Sequence, residues 1–130
     1  MSPTKTALNN YVSRALERTE FGEFSQEFDP EWRSPCELRQ EAEQTFWTPT
    51  EQQLSVDFSG LANAAEAPIH KDIQDYYGLY WSGILLAKTQ EGPVSLIQIW
   101  NQEDFDRLIE NLVGHLMMKI RAKAPFTVFF

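Results

Sequence analysis

Cysteine is all but missing from this chain. Cys36 stands alone among 130 residues, so no internal disulfide can staple the fold, and a reducing compartment suits it. Long apolar runs are missing too, and none approaches the ~20 residues of a membrane-spanning helix. The opening stretch, Met1 to Tyr11, carries Lys5 but has no apolar core of a secretory signal. No glycine-rich phosphate loop is present, and Gly78, Gly83 and Gly92 suit turns better than a nucleotide cradle. Only His70 and His115 could offer imidazoles. Neither has a second His or Cys at a ligand spacing, so no metal site and no cofactor is expected. Positive charge is scarce as well. Eleven Lys and Arg against nineteen Asp and Glu leave a formal charge of -8, which repels a nucleic-acid backbone or anionic lipid and attracts a basic partner. Internal repeats and low-complexity tracts are absent. The expectation is a soluble cytosolic protein.

What the chain does have is apolar material enough for a core. A hydrophobic fraction of 42% with 13% aromatics argues for a folded domain rather than a disordered one, and the length suits a single domain over residues 1–130. The last third organises the rest. Val94 to Trp100 is apolar and rich in branched residues after the Gly92-Pro93 break, so it predicts a strand. Asn101 then offers an N-cap, with Asp104 three residues on in a capping-box position. Phe105, Leu108, Ile109, Leu112, Leu116 and Ile120 recur on one helical face. Glu103, Asp104 and Asp106 at the start, and Lys119, Arg121 and Lys123 at the end, suit the helix dipole. Pro125 should close this helix, and Phe126 to Phe130 should begin a second strand.

Earlier segments carry weaker signals. Leu8, Tyr11, Val12, Ala15 and Leu16 share a face and predict a helix from Thr4 to Thr19. Phe21 to Pro35 is aromatic but broken by Asp29-Pro30 and Ser34-Pro35, so an ordered loop against the core is expected. Glu37 to Glu43 reads as a short helix or a surface turn, and Thr45 to Pro49 as an extended piece. Phe58 to Ala65 predicts a short helix. Pro68 is placed to open another through Ile69, Ile73, Tyr76 and Tyr77. Leu79 to Lys88 predicts a strand, joined through Thr89 to Pro93 by a hairpin-like turn to Val94 to Trp100. The order is α+β: an antiparallel or mixed sheet with helices packed on it, an N-terminal helix, and a long amphipathic helix between two strands.

Candidate chemistry is thin. Cys36 and His115 are a conceivable nucleophile and base, but nothing in the sequence brings them together, and structural roles are expected for both. Glu103, Asp104 and Asp106 form an acidic cluster that could act in acid–base chemistry, complement the helix N-terminus, or face a basic partner. Tyr76, Tyr77, Tyr80 and Trp81 read mainly as core. Gly114 in mid-helix costs about 1 kcal/mol against alanine, which leads one to expect another backbone lying close against it.

The residues also carry a likeness. Ile99-Trp100-Asn101-Gln102-Glu103-Asp104-Phe105, followed by Ile109-Glu110-Asn111-Leu112-Val113-Gly114-His115-Leu116 and Arg121-Ala122-Lys123-Ala124-Pro125, closely resembles the Syd family, the SecY-interacting proteins of proteobacteria. Ser34-Pro35-Cys36, Trp47 with Pro49, and Ile69 through Tyr77-Gly78 to Ser82-Gly83 extend the likeness in order. The resemblance implies a non-enzymatic protein bound peripherally on the cytoplasmic side of the inner membrane. It would hold the basic cytosolic loops of SecY on an acidic concave surface and monitor translocon assembly. Carried over by position, Glu103, Asp104 and Glu110 match acidic family positions, and Glu66, Asp72 and Asp75 lie in the matching central segment. The wider superfamily is rich in immunity proteins, so an inhibitor of a basic toxin domain is the alternative. Family members continue past Phe130 with further β structure and a closing helix. The chain thus resembles a C-terminally incomplete Syd-like domain, and pairing of two copies through the Phe126 to Phe130 edge is an expectation.

Overall fold

The computed structural model describes residues 2–123. Ser2 starts the first helix: its Oγ accepts the Lys5 N–H at 3.2 Å, and Pro3 sits where a missing N–H costs nothing. Helix α1 runs Pro3–Glu17 and buries Leu8 and Val12. Strands β1 (Phe24–Glu27), β2 (Glu37–Glu41) and β3 (Gln44–Trp47) follow. They form an antiparallel sheet with β3 in the middle, in the order β1-β3-β2. The central strand carries the burial, through Thr45 and Trp47. Next come β4 (Thr50–Glu51), helices α2 (Ser59–Ala65) and α3 (Lys71–Gly78), and β5 (Tyr80–Trp81), which pairs with β4. Strands β6 (Leu85–Thr89) and β7 (Gly92–Leu96) form a hairpin, and α4 (Gln102–Arg121) is the long helix. The α+β architecture is as the sequence predicts, with its antiparallel pairing split among three short sheets.

Several expectations need correction. The segment Glu37 to Glu43 is neither helix nor turn but strand β2 and its hairpin bend. Apart from half-buried Glu37 its strand residues are exposed, so no hydrophobic alternation betrays it. Main-chain pairing with β3 holds it, helped by Arg39 stacked over Phe46 at 4.4 Å. The aromatic segment 21–35 is not wholly a loop, because Phe24–Glu27 pairs residue for residue with Trp47–Gln44. Pro68 lies outside α3. The cap is His70, whose Nδ1 accepts the Asp72 N–H at 3.0 Å, and Ile69 is buried ahead of the helix. The long strand expected over Leu79 to Lys88 breaks at Ser82-Gly83-Ile84, between β5 and β6. Gly83 lies against the Trp47 ring so closely that an added Cβ would meet ring carbon Cζ2 at 2.6 Å. The strand expected to Trp100 starts at Gly92 and ends at Leu96, with Ile99 making a lone parallel bridge to Trp81. The expected closure of α4 at Pro125 and the second strand over Phe126 to Phe130 lie outside the described residues.

Two apolar clusters fill the interior. One gathers Leu8, Val12, Cys36, Trp47, Leu85 and Trp100 between α1, the three-stranded sheet and the hairpin. The other gathers Phe58, Leu61, Tyr77, Ile99, Phe105 and Leu112 among α2, α3 and α4. Ile99 and Trp100 point into different clusters, as successive residues of an extended chain do, and the Trp81 ring packs against both. Polar groups at the corner between them are satisfied by Gln52. Its Nε2 donates to the Tyr77 and Tyr80 carbonyls at 2.9 and 3.0 Å, and its Oε1 accepts the Val56 N–H at 3.0 Å. Helix α1 is fastened by Tyr11 Oη donating to the Leu86 carbonyl and by Asn9 Oδ1 accepting from Tyr80 Oη.

The face of α4 read from the sequence is buried at Phe105, Leu108, Leu112 and Leu116, whereas Ile120 is 58% exposed. Gly114 lies on an exposed part of this helix. Among the described residues no neighbouring atom outside its own helix backbone lies within 4 Å of where its Cβ would stand, so none of them supplies the expected close backbone. Gly114→Ala should therefore raise stability by about 0.5–1 kcal/mol through reduced unfolded-state freedom and better helix propensity. Urea denaturation checks this; destabilisation would mean that an unseen contact occupies the position.

Candidate functional site

The start of α4 is built by a reciprocal cap. Asp104 N–H donates to Asn101 Oδ1 at 2.7 Å, and Trp100 N–H donates to Asp104 Oδ2 at 2.8 Å. Both residues also reach across the molecule. Trp100 Nε1 donates to the Trp32 carbonyl at 2.9 Å, and Asn101 Nδ2 donates to the Arg33 carbonyl at 2.8 Å. The Trp100 ring meets Trp47 edge-on, with centroids 5.8 Å apart. These contacts set the loop between β1 and β2 beside the first two turns of α4.

Between them lies an open cleft of about 430 Å³ lined by Asp29, Glu31, Trp32, Glu103 and Arg107. The Asp29 carboxylate accepts the Glu31 N–H at 2.9 Å, which shapes the loop. Arg107 lies over the Trp32 ring, 4.6 Å from its centroid. Among the described residues no ion pair engages Asp29, Glu31, Glu103 or Arg107. Three carboxylates thus surround one guanidinium and an aromatic face. On the other side of Trp32 a smaller cavity of about 200 Å³ is bounded by Gln26, Gln98, Trp100 and Asp104.

The six acids singled out in the sequence fall into three settings. Glu103 and Glu110 are exposed, and their seven-residue spacing puts them on one outer stripe of α4. Glu66 and Asp72, both exposed, flank the connection between α2 and α3. Glu66 ends α2 in a left-handed conformation with φ 53°, and Asp72 Oδ2 lies 3.7 Å from His70 Nδ1. Asp104 and Asp75 turn inward. Asp104 is engaged as the cap, and Asp75 is 7% exposed, with Oδ1 3.8 Å from Lys5 Nζ. Asp29 and Glu31 were missed. Their signal was present in Asp29-Pro30-Glu31-Trp32, where acids flank an aromatic, but nothing local ties that loop to Glu103.

Catalytic chemistry finds little support in Cys36. It is 1% exposed, its Sγ accepts from Ser34 Oγ at 3.0 Å, and burial pushes the thiol up to about 11. At neutral pH such a group stays protonated and inert. Among the described residues no three or more His, Cys, Asp or Glu side chains gather where a metal ion could be held. Nor, among them, is any helix long and apolar enough to cross a membrane.

A model of the family described as "Syd protein (SUKH-2)" matches residues 4–130. The chain belongs to the Syd family. It is 36% identical over 107 residues to Protein Syd of Pseudoalteromonas atlantica, covering 79% of this chain and 58% of the relative. Protein Syd of Alteromonas mediterranea is 37% identical over 125 residues, covering 95% of this chain and 69% of the relative. With Protein Syd of Psychromonas ingrahamii the identity is 38% over 103 residues, or 78% and 56% of the two chains. The chain therefore spans somewhat over half of the length of the first and third of these Syd proteins.

Beneath the cleft, Glu37 anchors the loop that carries Trp32. Burial opposes its ionisation, but Thr45 Oγ1 at 2.6 Å, the Ser34 N–H at 2.6 Å and Arg33 Nε at 2.9 Å outweigh it and hold the carboxyl below its ordinary value of 4.5. A depressed carboxylate stabilises the fold above its unfolded pKa, and that stability is lost as pH falls through the lower folded value. Glu37→Gln should cost about 1–3 kcal/mol at pH 7 and flatten the acid side of the stability profile below pH 4.5. Urea melts across pH measure both; an unchanged acid slope would assign that slope to other carboxylates.

Proposed function

We propose that this member of the Syd family is a non-enzymatic regulatory protein that binds the basic cytosolic loops of SecY through its acidic surface and monitors translocon assembly. On this reading it is a cytoplasmic protein held peripherally at the inner membrane by SecY itself. The cleft between the β1–β2 loop and α4 carries the proposal. It offers Asp29, Glu31 and Glu103 around an aromatic floor, and Glu110 extends the acidic stripe two turns further along the helix. Carboxylates that form no ion pair among the described residues, even with Arg107 in the same cleft, are open to an external cation, and a chain with a charge of -8 steers a basic loop toward them. Glu66 and Asp72 form a second exposed pair at the α2–α3 connection, available to a partner that extends that far. Asp75 and Asp104 act from within, by holding α1 and by capping α4. The immunity-type alternative, a block on a basic toxin domain, would draw on the same face.

Membranes with and without overproduced SecY, at low and high salt, test the proposal. Retention should require SecY and weaken as salt rises. Reversing Glu103 or Glu110 to lysine should each weaken it by about threefold to tenfold, mostly through the association rate. Retention that ignores SecY, or that is indifferent to both reversals, would remove the proposal and bring the toxin-inhibitor alternative forward.

A further inference from the structure

Among the described residues three arginines lie over aromatic rings, and one differs from the others. Arg33 lies 5.1 Å from the Phe28 centroid and also pairs with Glu37 at 2.9 Å. Arg39 lies 4.4 Å from the Phe46 centroid, pairs with Glu23 at 2.6 Å and with Glu41 at 3.2 Å. Each is fixed by a ring and a carboxylate together. Arg107 lies over Trp32 at 4.6 Å, yet among the described residues no ion pair engages it, although Asp29, Glu31 and Glu103 line the same cleft. The ring alone holds this guanidinium. A cation–π contact at an exposed site is worth about 0.5–1 kcal/mol, weak enough for an incoming group to displace.

Building on the acidic-face reading above, we infer that the Trp32 ring is the seat for an arginine side chain of the basic partner, and that Arg107 occupies this seat in the free protein. A planar guanidinium stacks on the indole and presents a fork of N–H donors to carboxylates. A partner arginine would gain the ring and, unlike Arg107, which pairs with none of them, would turn its fork toward a carboxylate of the cleft. A lysine offers the same charge without the fork, so the seat discriminates between them. Arg107, displaced, swings into solvent from an exposed stripe of α4 and leaves the helix intact. It therefore acts as an internal competitor that sets how strong a basic ligand must be.

Calorimetric titration at low salt with two synthetic peptides of equal length and charge, one built on arginine and one on lysine, tests this. The wild-type chain should bind the arginine peptide at least about threefold more tightly. Arg107→Gln should tighten the arginine peptide about fivefold, the equivalent of the ring contact it gives up. Lys88→Gln, which removes an equal charge from the exposed hairpin, calibrates the general field effect and should change binding by less than about twofold. If Arg107→Gln tightens binding no more than Lys88→Gln does, or tightens both peptides alike, the arginine seat is overturned while the acidic-face reading stands. If neither peptide binds any of the three proteins, both are overturned.

Discussion

Trp100 is the joint on which this molecule depends. Its ring packs with Trp47 in one apolar cluster, while its neighbour Ile99 fills the other. Its backbone N–H is tied to the cap of α4, and its indole N–H holds the β1–β2 loop. Removing a buried aromatic of this kind costs about 3–5 kcal/mol, a large share of the ~5–15 kcal/mol that holds a domain together. Here the loss would also remove one of the two described hydrogen bonds, from Trp100 and Asn101, that join residues 32 and 33 to the start of α4. Stability and site are therefore one arrangement.

Electrostatics follows from that joint. The acids that fold the chain are those given partners: Glu37 beneath the loop, Glu23 beside Arg39, Asp75 beside Lys5, Asp104 at the helix cap. Among the acids with no ion pair in the described residues, Glu103 and Glu110 stand on the outer stripe of α4 and Asp29 and Glu31 on the loop facing it, while others such as Glu17, Glu20, Glu66 and Glu91 are exposed elsewhere. Folding thus sorts the carboxylates, sending some inward as structural anchors and leaving others exposed. Arg39 completes the sorting from the other side, since its pairing with Glu23 and Glu41 keeps two carboxylates of the first sheet occupied.

How much of this could be read from the sequence depends on whether each feature has a local cause. Helix α4 was legible because burial on one face imposes a 3.6-residue period, and Asn101 with Asp104 announces its cap. Strand β2 was not, because most of its side chains are exposed and show no apolar alternation. Strand β1 was hidden in an aromatic segment whose alternation runs for four residues only. Gly114 misled, since a glycine in a helix marks either a close contact or a tolerated cost, and spacing does not distinguish them. Among the candidate acids, the family likeness put Glu103 and Glu110 forward, and both stand exposed on α4. It could not reveal that Asp75 faces α1, because that orientation comes from the docking of another helix. The cleft itself was the least legible. It joins Asp29, Glu31 and Trp32 to Glu103 and Arg107 across most of the chain.

That separation has a kinetic meaning. The bonds from Trp100 to Trp32 and from Asn101 to Arg33 each bridge 68 residues, the Tyr80 bond to Asn9 bridges 71, and the Tyr11 bond to Leu86 bridges 75. Contacts so distant in sequence slow folding, because the loop must close before they repay its entropy. A growing polypeptide emerging from the ribosome in order would complete β1, β2 and β3 long before residues 100 and 101 arrive to clasp the loop. Until then Trp32 and its flanking acids hang without the helix that makes them a cleft, so the nascent protein has charge but no shaped surface. The cleft would therefore take shape only once residues 100 and 101 have been made.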